Sequence, residues 1–316
     1  MIDERRPEVP GVDADKPSQI PAKGWWQVSR RAWREAKTDQ VPLLAAGVAF
    51  FAFLSLFPAV VAAVLTYGLV ADPAQIRRQV EDLSKAMPAS GRDLLLQQLD
   101  ALTSAPRQSL GIGVAVAVVA ALWSASGGVG YLLTAVNLAY DEEETRGFVR
   151  RKLLALGMTL GAIVFVLLAI ALFAAGAAIG SDVVTPVRVA LAAARLLLAV
   201  ILITVALAVV YRLGPDRDAP RFRWISVGAV VATVIWLLAS IGFSVYVETF
   251  GNYAKTYGSL AAVVVLLLWL WLTAYAVLLG AEINAEAEQQ TARDTTRGEP
   301  RPLGERNAVK ADSIPQ

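Results

Sequence analysis

Five stretches of this chain carry no charged side chain at all. They are Gln40–Ala71, Gln108–Tyr140, Leu153–Ser181, Trp224–Val247 and Thr256–Ala281, between 24 and 33 residues each. A sixth apolar segment, Val187–Tyr211, is interrupted only by Arg188 and Arg195. About 20 consecutive apolar residues cross the hydrocarbon core of a bilayer as a helix, and in lipid the backbone polar groups must be satisfied within such a segment. The runs are continuous and do not alternate with period two, which excludes a β-barrel. The sequence therefore predicts an all-α, polytopic membrane protein. Its six transmembrane helices fall at about 42–71, 108–140, 152–181, 186–212, 223–248 and 257–283, within a membrane domain over 39–288.

The basic residues orient these spans. Six crossings put both termini on one side. Together with the 141–152 and 212–223 loops, that side holds 21 of the 29 Lys and Arg residues. The opposite side holds seven, and Arg195 lies within a span. Positive residues are retained in the cytoplasm. The expectation is a bacterial plasma (inner) membrane protein with cytoplasmic N- and C-termini and no cleavable signal peptide.

The flanking segments differ in character. Residues 1–22 and the tail 289–316 are polar and proline-containing and are read as disordered. Residues 23–38 place Trp25, Trp26 and Trp33 among Arg30, Arg31 and Arg34, which predicts an amphipathic interfacial helix that anchors to membrane lipids rather than to nucleic acid. Between the first two spans, Asp72–Arg107 reads as an external helical hairpin, with Asp72 capping a helix that has Pro73 at its first position.

The chain has no histidine and no cysteine. Disulfides, thiol nucleophiles, Cys/His zinc sites and a Ser-His-Asp triad are therefore impossible. Catalytic residues, metal ligands and cofactors are not expected. The acidic run Asp141-Glu142-Glu143-Glu144 reads as a solvated helix end.

Within the membrane, several residues stand out. At 1.5 Å per residue the 33-residue second run would extend about 50 Å, against a core of about 30 Å. Its middle contains Ser126, Gly127 and Gly128. These permit either a helix break that exposes backbone dipoles to a solute, or close packing of an unbroken helix. Gly157 and Gly161 form a weak small-residue packing motif, within the bundle or between copies of the chain. Arg195 lies roughly 13.5 Å into the fourth span by helix rise, with Arg188 two turns earlier on the same face. A cation at that depth faces a cavity or a partner. Glu248 and Glu282 lie near opposite ends of the last two spans.

Several phrases read in order form a pattern: Ala45-Ala46-Gly47-Val48-Ala49-Phe50, Ser55-Leu56-Phe57-Pro58, Trp123-Ser124-Ala125-Ser126-Gly127-Gly128, Leu138-Ala139-Tyr140, Tyr211-Arg212, Tyr257-Gly258-Ser259-Leu260 and Leu279-Gly280-Ala281-Glu282-Ile283-Asn284. Over about residues 25–288 the chain resembles the YihY/BrkB family of bacterial inner-membrane proteins. The resemblance implies six transmembrane helices with a long first loop, in a transport or envelope-associated group that long carried a ribonuclease label. Without histidine ligands or clustered carboxylates, the residues disfavour that label. Matching the family phrases singles out Tyr140, Arg146, Tyr257, Glu282 and Asn284. Glu282 is expected to pair with Arg146, Arg150 or Arg151 as a gate or a latch.

The leading functional expectation is a transporter or channel-like protein for a small solute or ion. Arg188 and Arg195 point to an anion, Glu248 and Glu282 to a cation or proton. The alternative is a non-transporting envelope scaffold that recruits partners or lipids. An enzyme acting on lipid is disfavoured, since no acid–base pair at one depth can be named. A homo-oligomer is an open option.

Overall fold

The computed structural model of the protein describes residues 9–70, 107–177, 185–249 and 259–315. The expected external hairpin lies outside them, as does Tyr257. Among these residues a 3-10 turn (Pro17–Gln19) and seven α-helices follow in order: α1 (Ala22–Thr38), α2 (Val41–Val70), α3 (Arg107–Ala139), α4 (Phe148–Ala177), α5 (Thr185–Leu213), α6 (Phe222–Thr249) and α7 (Ser259–Gln289). No strand occurs among the described residues. α3 to α7 each contain a segment long and apolar enough to span a membrane, and α1 joined to the start of α2 gives a sixth candidate, bent by 64°.

The bend is local chemistry. Asp39 and Gln40 link α1 to α2, and Gln40 takes a left-handed φ of 53°. Its carbonyl then accepts from the Leu43 and Leu44 amides, which starts α2 in its new direction. On the inner side of α1, Gly24, Val28, Ala32 and Ala36 recur every four residues and are buried.

The interior is built of small residues and the exterior of large ones. Ala45, Ala135, Ala139, Ala229, Ala232, Ala274, Ala281 and Ala285 are buried in one core cluster. Leu, Val and Ile side chains along α4, α5 and α6 are exposed. This inversion suits a bundle in lipid, where close backbone approach holds helices together and large apolar side chains face an apolar solvent.

Two crossings depend on glycine. At α6–α7, a Cβ on Gly228 would lie 2.1 Å from the Gly280 carbonyl oxygen, and one on Gly280 would lie 2.3 Å from the Tyr211 hydroxyl. At α2–α3, a Cβ on Gly128 would lie 2.9 Å from Ser55 Oγ, which accepts a hydrogen bond from the Gly128 amide at 3.1 Å. The Phe51 and Tyr131 rings stack one turn away. α3 runs unbroken through Ser126-Gly127-Gly128, so of the two options left open by the sequence, the packed helix is the one adopted. Gly157 and Gly161 meet nothing within 4 Å and serve no crossing in this chain.

The expectation of disordered ends is corrected for residues 9–22 and 289–315. Thr291 donates to the Val12 and Ala14 carbonyls, and the Ala292 amide bonds Val12. Thr296 bridges Pro220. Arg306 is buried, with its guanidinium on the carbonyls of Ala292 and Ala311 at 2.6 Å each. Proline and polarity disfavour long helices here, where only a 3-10 turn at Pro17–Gln19 forms, but they do not prevent a fixed irregular segment when a buried surface needs covering.

Gly280→Ala should lower the thermal midpoint of detergent-solubilised protein strongly, since overpacking at backbone contact distance costs about 1–3 kcal/mol or more. Gly157→Ala should leave it unchanged in the same measurement.

Candidate functional site

The last two turns of α7 and the residue after them read Glu282-Ile283-Asn284-Ala285-Glu286-Ala287-Glu288-Gln289-Gln290. Glu282, Asn284, Glu286, Glu288 and Gln290 are all fully buried. Residues two apart on a helix point to nearly opposite sides, so this helix end is enclosed all round. A buried carboxylate must be paired, protonated or hydrogen-bonded. Each of the three glutamates meets that demand differently.

Glu288 is held by Arg217 from the α5–α6 loop, with N···O distances of 3.1 and 2.6 Å, and accepts from Thr295 Oγ1 at 2.7 Å. The Arg217 guanidinium also lies 4.4 Å from the Tyr140 ring centre. Burial would lower the Arg217 pKa, but the Glu288 carboxylate outweighs it and holds the value above the ordinary one. Glu286 is clamped from two sides. Arg31 of α1 bonds its carboxylate, its carbonyl oxygen and Gln290, while Lys310 of the tail donates to Oε1 at 2.7 Å.

Glu282 has no such donor. No N–H or O–H in the described structure reaches either of its carboxyl oxygens. The charges that bear on it are those of Asp39, Lys310, Glu286 and Asp141, none of them hydrogen-bonded to it. Asp39 sits in the α1–α2 link, and its pKa is raised by burial first, then by the charges of Asp141 and Glu35. The Tyr140 hydroxyl is likewise buried without a well-formed hydrogen bond, facing Asn284. Asn284 itself is committed to α6, accepting from the Gly228 amide at 2.7 Å and donating to the Ile225 carbonyl at 3.2 Å.

The expected pairing of Glu282 with Arg146, Arg150 or Arg151 is therefore corrected. Arg146 grips Glu144 in a two-pronged bond at 2.6 and 2.8 Å and bonds the Gly214 carbonyl at 2.9 Å. It ties the α3–α4 loop to the α5–α6 loop, helped by Thr145, whose amide and hydroxyl both donate to Asp216. Arg151 turns to Thr134 and Gly130 of α3. Arg150 lines a water-facing cleft of about 590 Å³ together with Asp141, Glu142, Asp216, Arg217 and Val309. Glu144 claims Arg146 and lies 3.8 Å from Arg151, so neither arginine turns to α7.

The remaining candidates are scattered. Arg188 is exposed and Arg195 half-buried along α5, and Glu248 is exposed at the end of α6. An apolar cavity of about 630 Å³ lies between α4, α5, α6 and α7 and is lined by Phe165, Leu196, Trp236 and Trp269. Arg195 is not among its lining residues. Ser126 is buried and bonds the Trp123 carbonyl, Gly127 is open and Gly128 packs on α2. On α1, Trp26 and Trp33 are exposed, as are Arg30 and Arg34. Trp25 packs on Ala14, Ile20 and Trp224. Arg31 departs from the expected lipid-facing set, because buried Glu286 draws it inward.

Sequence reasoning missed Glu286, Glu288, Arg217, Lys310 and Asp39. The available signal was the spacing itself: four polar side chains at 282, 284, 286 and 288 cannot share one solvent face of a helix.

The chain matches the virulence factor BrkB family over residues 32–303. It belongs to that family. A YfkH protein of Bacillus subtilis, named as ribonuclease-like, is 33% identical over 248 residues, 76% of this chain and 87% of its own. UPF0761 membrane proteins of Idiomarina loihiensis and Alteromonas mediterranea are 35% and 40% identical over 79 residues, a quarter of this chain and 28% and 26% of theirs. No solved structure matches. The BrkB resemblance read from the sequence phrases is thus shown, as is the all-helical membrane fold. Among the described residues of this BrkB protein, no group of three or more carboxylates is arranged to hold a metal ion.

Two outcomes follow. Arg217→Ala strands Glu288 and should destabilise the protein by about 3–5 kcal/mol, with Arg217→Ala/Glu288→Ala regaining part of the loss in thermal unfolding. Glu142, on the rim of the cleft, is raised by burial to about 7, against the opposing pull of the Val309 amide. The folded state then binds that proton more tightly than the unfolded chain. Stability should fall as pH rises from about 5 through about 7, and Glu142→Gln, which retains an acceptor for Val309, should flatten that fall.

Proposed function

We propose that this BrkB protein is a transporter or channel-like protein for a proton or small cation in the bacterial inner membrane, with its termini in the cytoplasm and Glu282 as the ion-accepting group. The observation that carries this reading is the fully buried Glu282 carboxyl, which lacks a donor and sits beside the Asp39 carboxyl at the end of α7. Such a group is costly unless it takes up a proton or a cation, and intramembrane carboxylates of this kind mark ion pathways. α7 packs against α1, α2, α3 and α6, and Glu282 near its end is fully buried.

An anionic cargo has less support. It would use Arg188 and Arg195, which lie exposed and half-buried on α5 and away from the enclosed polar centre. The chain is read as a non-enzyme because no acid–base pair placed to act on a bound substrate can be named among the described residues.

Flux into proteoliposomes holding the full-length protein tests the reading. Glu282→Gln should reduce proton or monovalent-cation flux at least about tenfold while the protein stays folded, the removal of an ion-accepting group being worth more than one decade. Wild-type protein that moves neither protons nor monovalent cations would overturn the proposal and leave an envelope scaffold as the better reading. Anion flux that is lost in Arg195→Ala and kept in Glu282→Gln would overturn it in favour of the anion.

A further inference from the structure

Two glycines of α3 have no packing role in this chain. A Cβ on Gly127 or Gly130 would meet nothing within 4 Å, and a glycine inside a helix is destabilising relative to alanine. Both line a pocket of about 180 Å³ between α3 and the first two turns of α4. Their missing side chains leave the floor of that pocket open.

The pocket is cationic. Arg151 and Lys152 line it, and no carboxylate does. Lys152 Nζ donates to the Trp123 carbonyl at 2.8 Å and lies 4.3 Å from the centre of the Trp123 ring. It forms no ion pair with any described residue. Arg151 donates to the Gly130 carbonyl and to Thr134 Oγ1, which are neutral acceptors. Glu144 lies 3.8 Å from Arg151 Nε, but Arg146 already holds that carboxylate through two hydrogen bonds. An ammonium has three donors and a guanidinium five, so both cations retain donors after these contacts.

The position of the pocket selects its ligand. Arg151 and Lys152 are the last charged residues before the charge-free run Leu153–Ser181. They stand where the hydrocarbon core gives way to headgroups. Beside them Trp123, Val149 and Leu153 are exposed, and the exposed apolar face continues along α4 through Leu160, Val164 and Leu167. The pocket is thus continuous with the lipid-facing surface. Its 180 Å³ equals about six water volumes in the liquid, room for a phosphate and the glycerol beside it but not for an acyl chain. Two cations without a carboxylate favour a headgroup of net negative charge over one that carries its own cation.

We propose that Arg151, Lys152 and the glycine floor of α3 form a binding site for the phosphate of an acidic membrane phospholipid, whose acyl chains lie along the outer face of α4. Basic pockets between transmembrane helices hold lipid headgroups in this way. The site does not depend on transport, and its test measures no flux.

The natural absence of cysteine makes the test local. In the full-length protein, Phe148→Cys puts a single thiol at the edge of the pocket. Its labelling by a water-soluble thiol reagent is timed in neutral-detergent micelles. These contain phosphatidylglycerol, phosphatidylcholine at the same mole fraction, or inorganic phosphate at the same ionic strength. Phosphatidylglycerol should slow labelling about fivefold, the protection given by a ligand at about four times its Kd. Phosphatidylcholine and inorganic phosphate should not. Adding Gly127→Ala and Gly130→Ala fills the floor and keeps both cations. That pair should weaken the protection without lowering the thermal midpoint. Adding Arg151→Gln and Lys152→Gln instead should raise the lipid concentration needed about tenfold. Equal slowing by the two lipids, or protection that survives either pair of substitutions, would overturn the proposal. Equal slowing by inorganic phosphate would overturn the lipid in favour of a free anion. If a substituted protein does not fold, the comparison of the two lipids with Phe148→Cys alone decides the matter.

Discussion

The arrangement of this protein follows from one demand, the neutralisation of carboxylates buried at the end of α7. Glu286 and Glu288 sit where water cannot solvate them, and a lone ion there would cost several kcal/mol. Arg31, Lys310 and Arg217 answer them, and each comes from a different part of the chain: the first helix, the C-terminal tail and the α5–α6 loop. The three ion pairs thereby fix three elements that hydrophobic packing would leave loose, since lipid solvates apolar helix faces as well as another helix does. Glu282 is the exception, buried beside Asp39 with no cation bonded to it.

The apolar part of the bundle supports this polar end through close approach and not through large side chains. Gly228, Gly280 and the alanines of α6 and α7 bring the two backbones into contact, which places the Asn284 amide within reach of the Gly228 and Ile225 backbone. Tyr211 fills the notch above Gly280 and bonds the Val277 carbonyl at 2.7 Å. A methyl group at either glycine would separate the helices and with them the shell around Glu282, so packing in the membrane and charge placement at its edge are one design.

Much of this was legible in the residues. The apolar runs marked where α2 to α7 lie, with α7 running eight residues past the end of its run at Ala281, because backbone satisfaction in lipid leaves a long apolar segment one conformation. The phrase around Gly280 and Glu282 marked the part of α7 on which the polar end is built. The partner of Glu282 was misplaced because equal depth at one end of the bundle was taken for contact: Arg146 lies at that level, but Glu144, two residues away, claims it first. The tail was misread because its composition excludes helix and strand, and composition is silent about an irregular segment held by ion pairs and carbonyl contacts.

The sequence by itself determined the class of the protein, the place of the apolar helices among the described residues and the chemistries closed to it, since these depend on transfer free energies and side-chain inventories that are local to each segment. Only the tertiary structure decided which charges meet. Arg31 and Glu286 are 255 residues apart, and Lys310 reaches Asp141 across four helices. Such pairs form because burial makes every uncompensated charge expensive. The compensating ion is found by geometry, and no spacing rule in a linear chain encodes it.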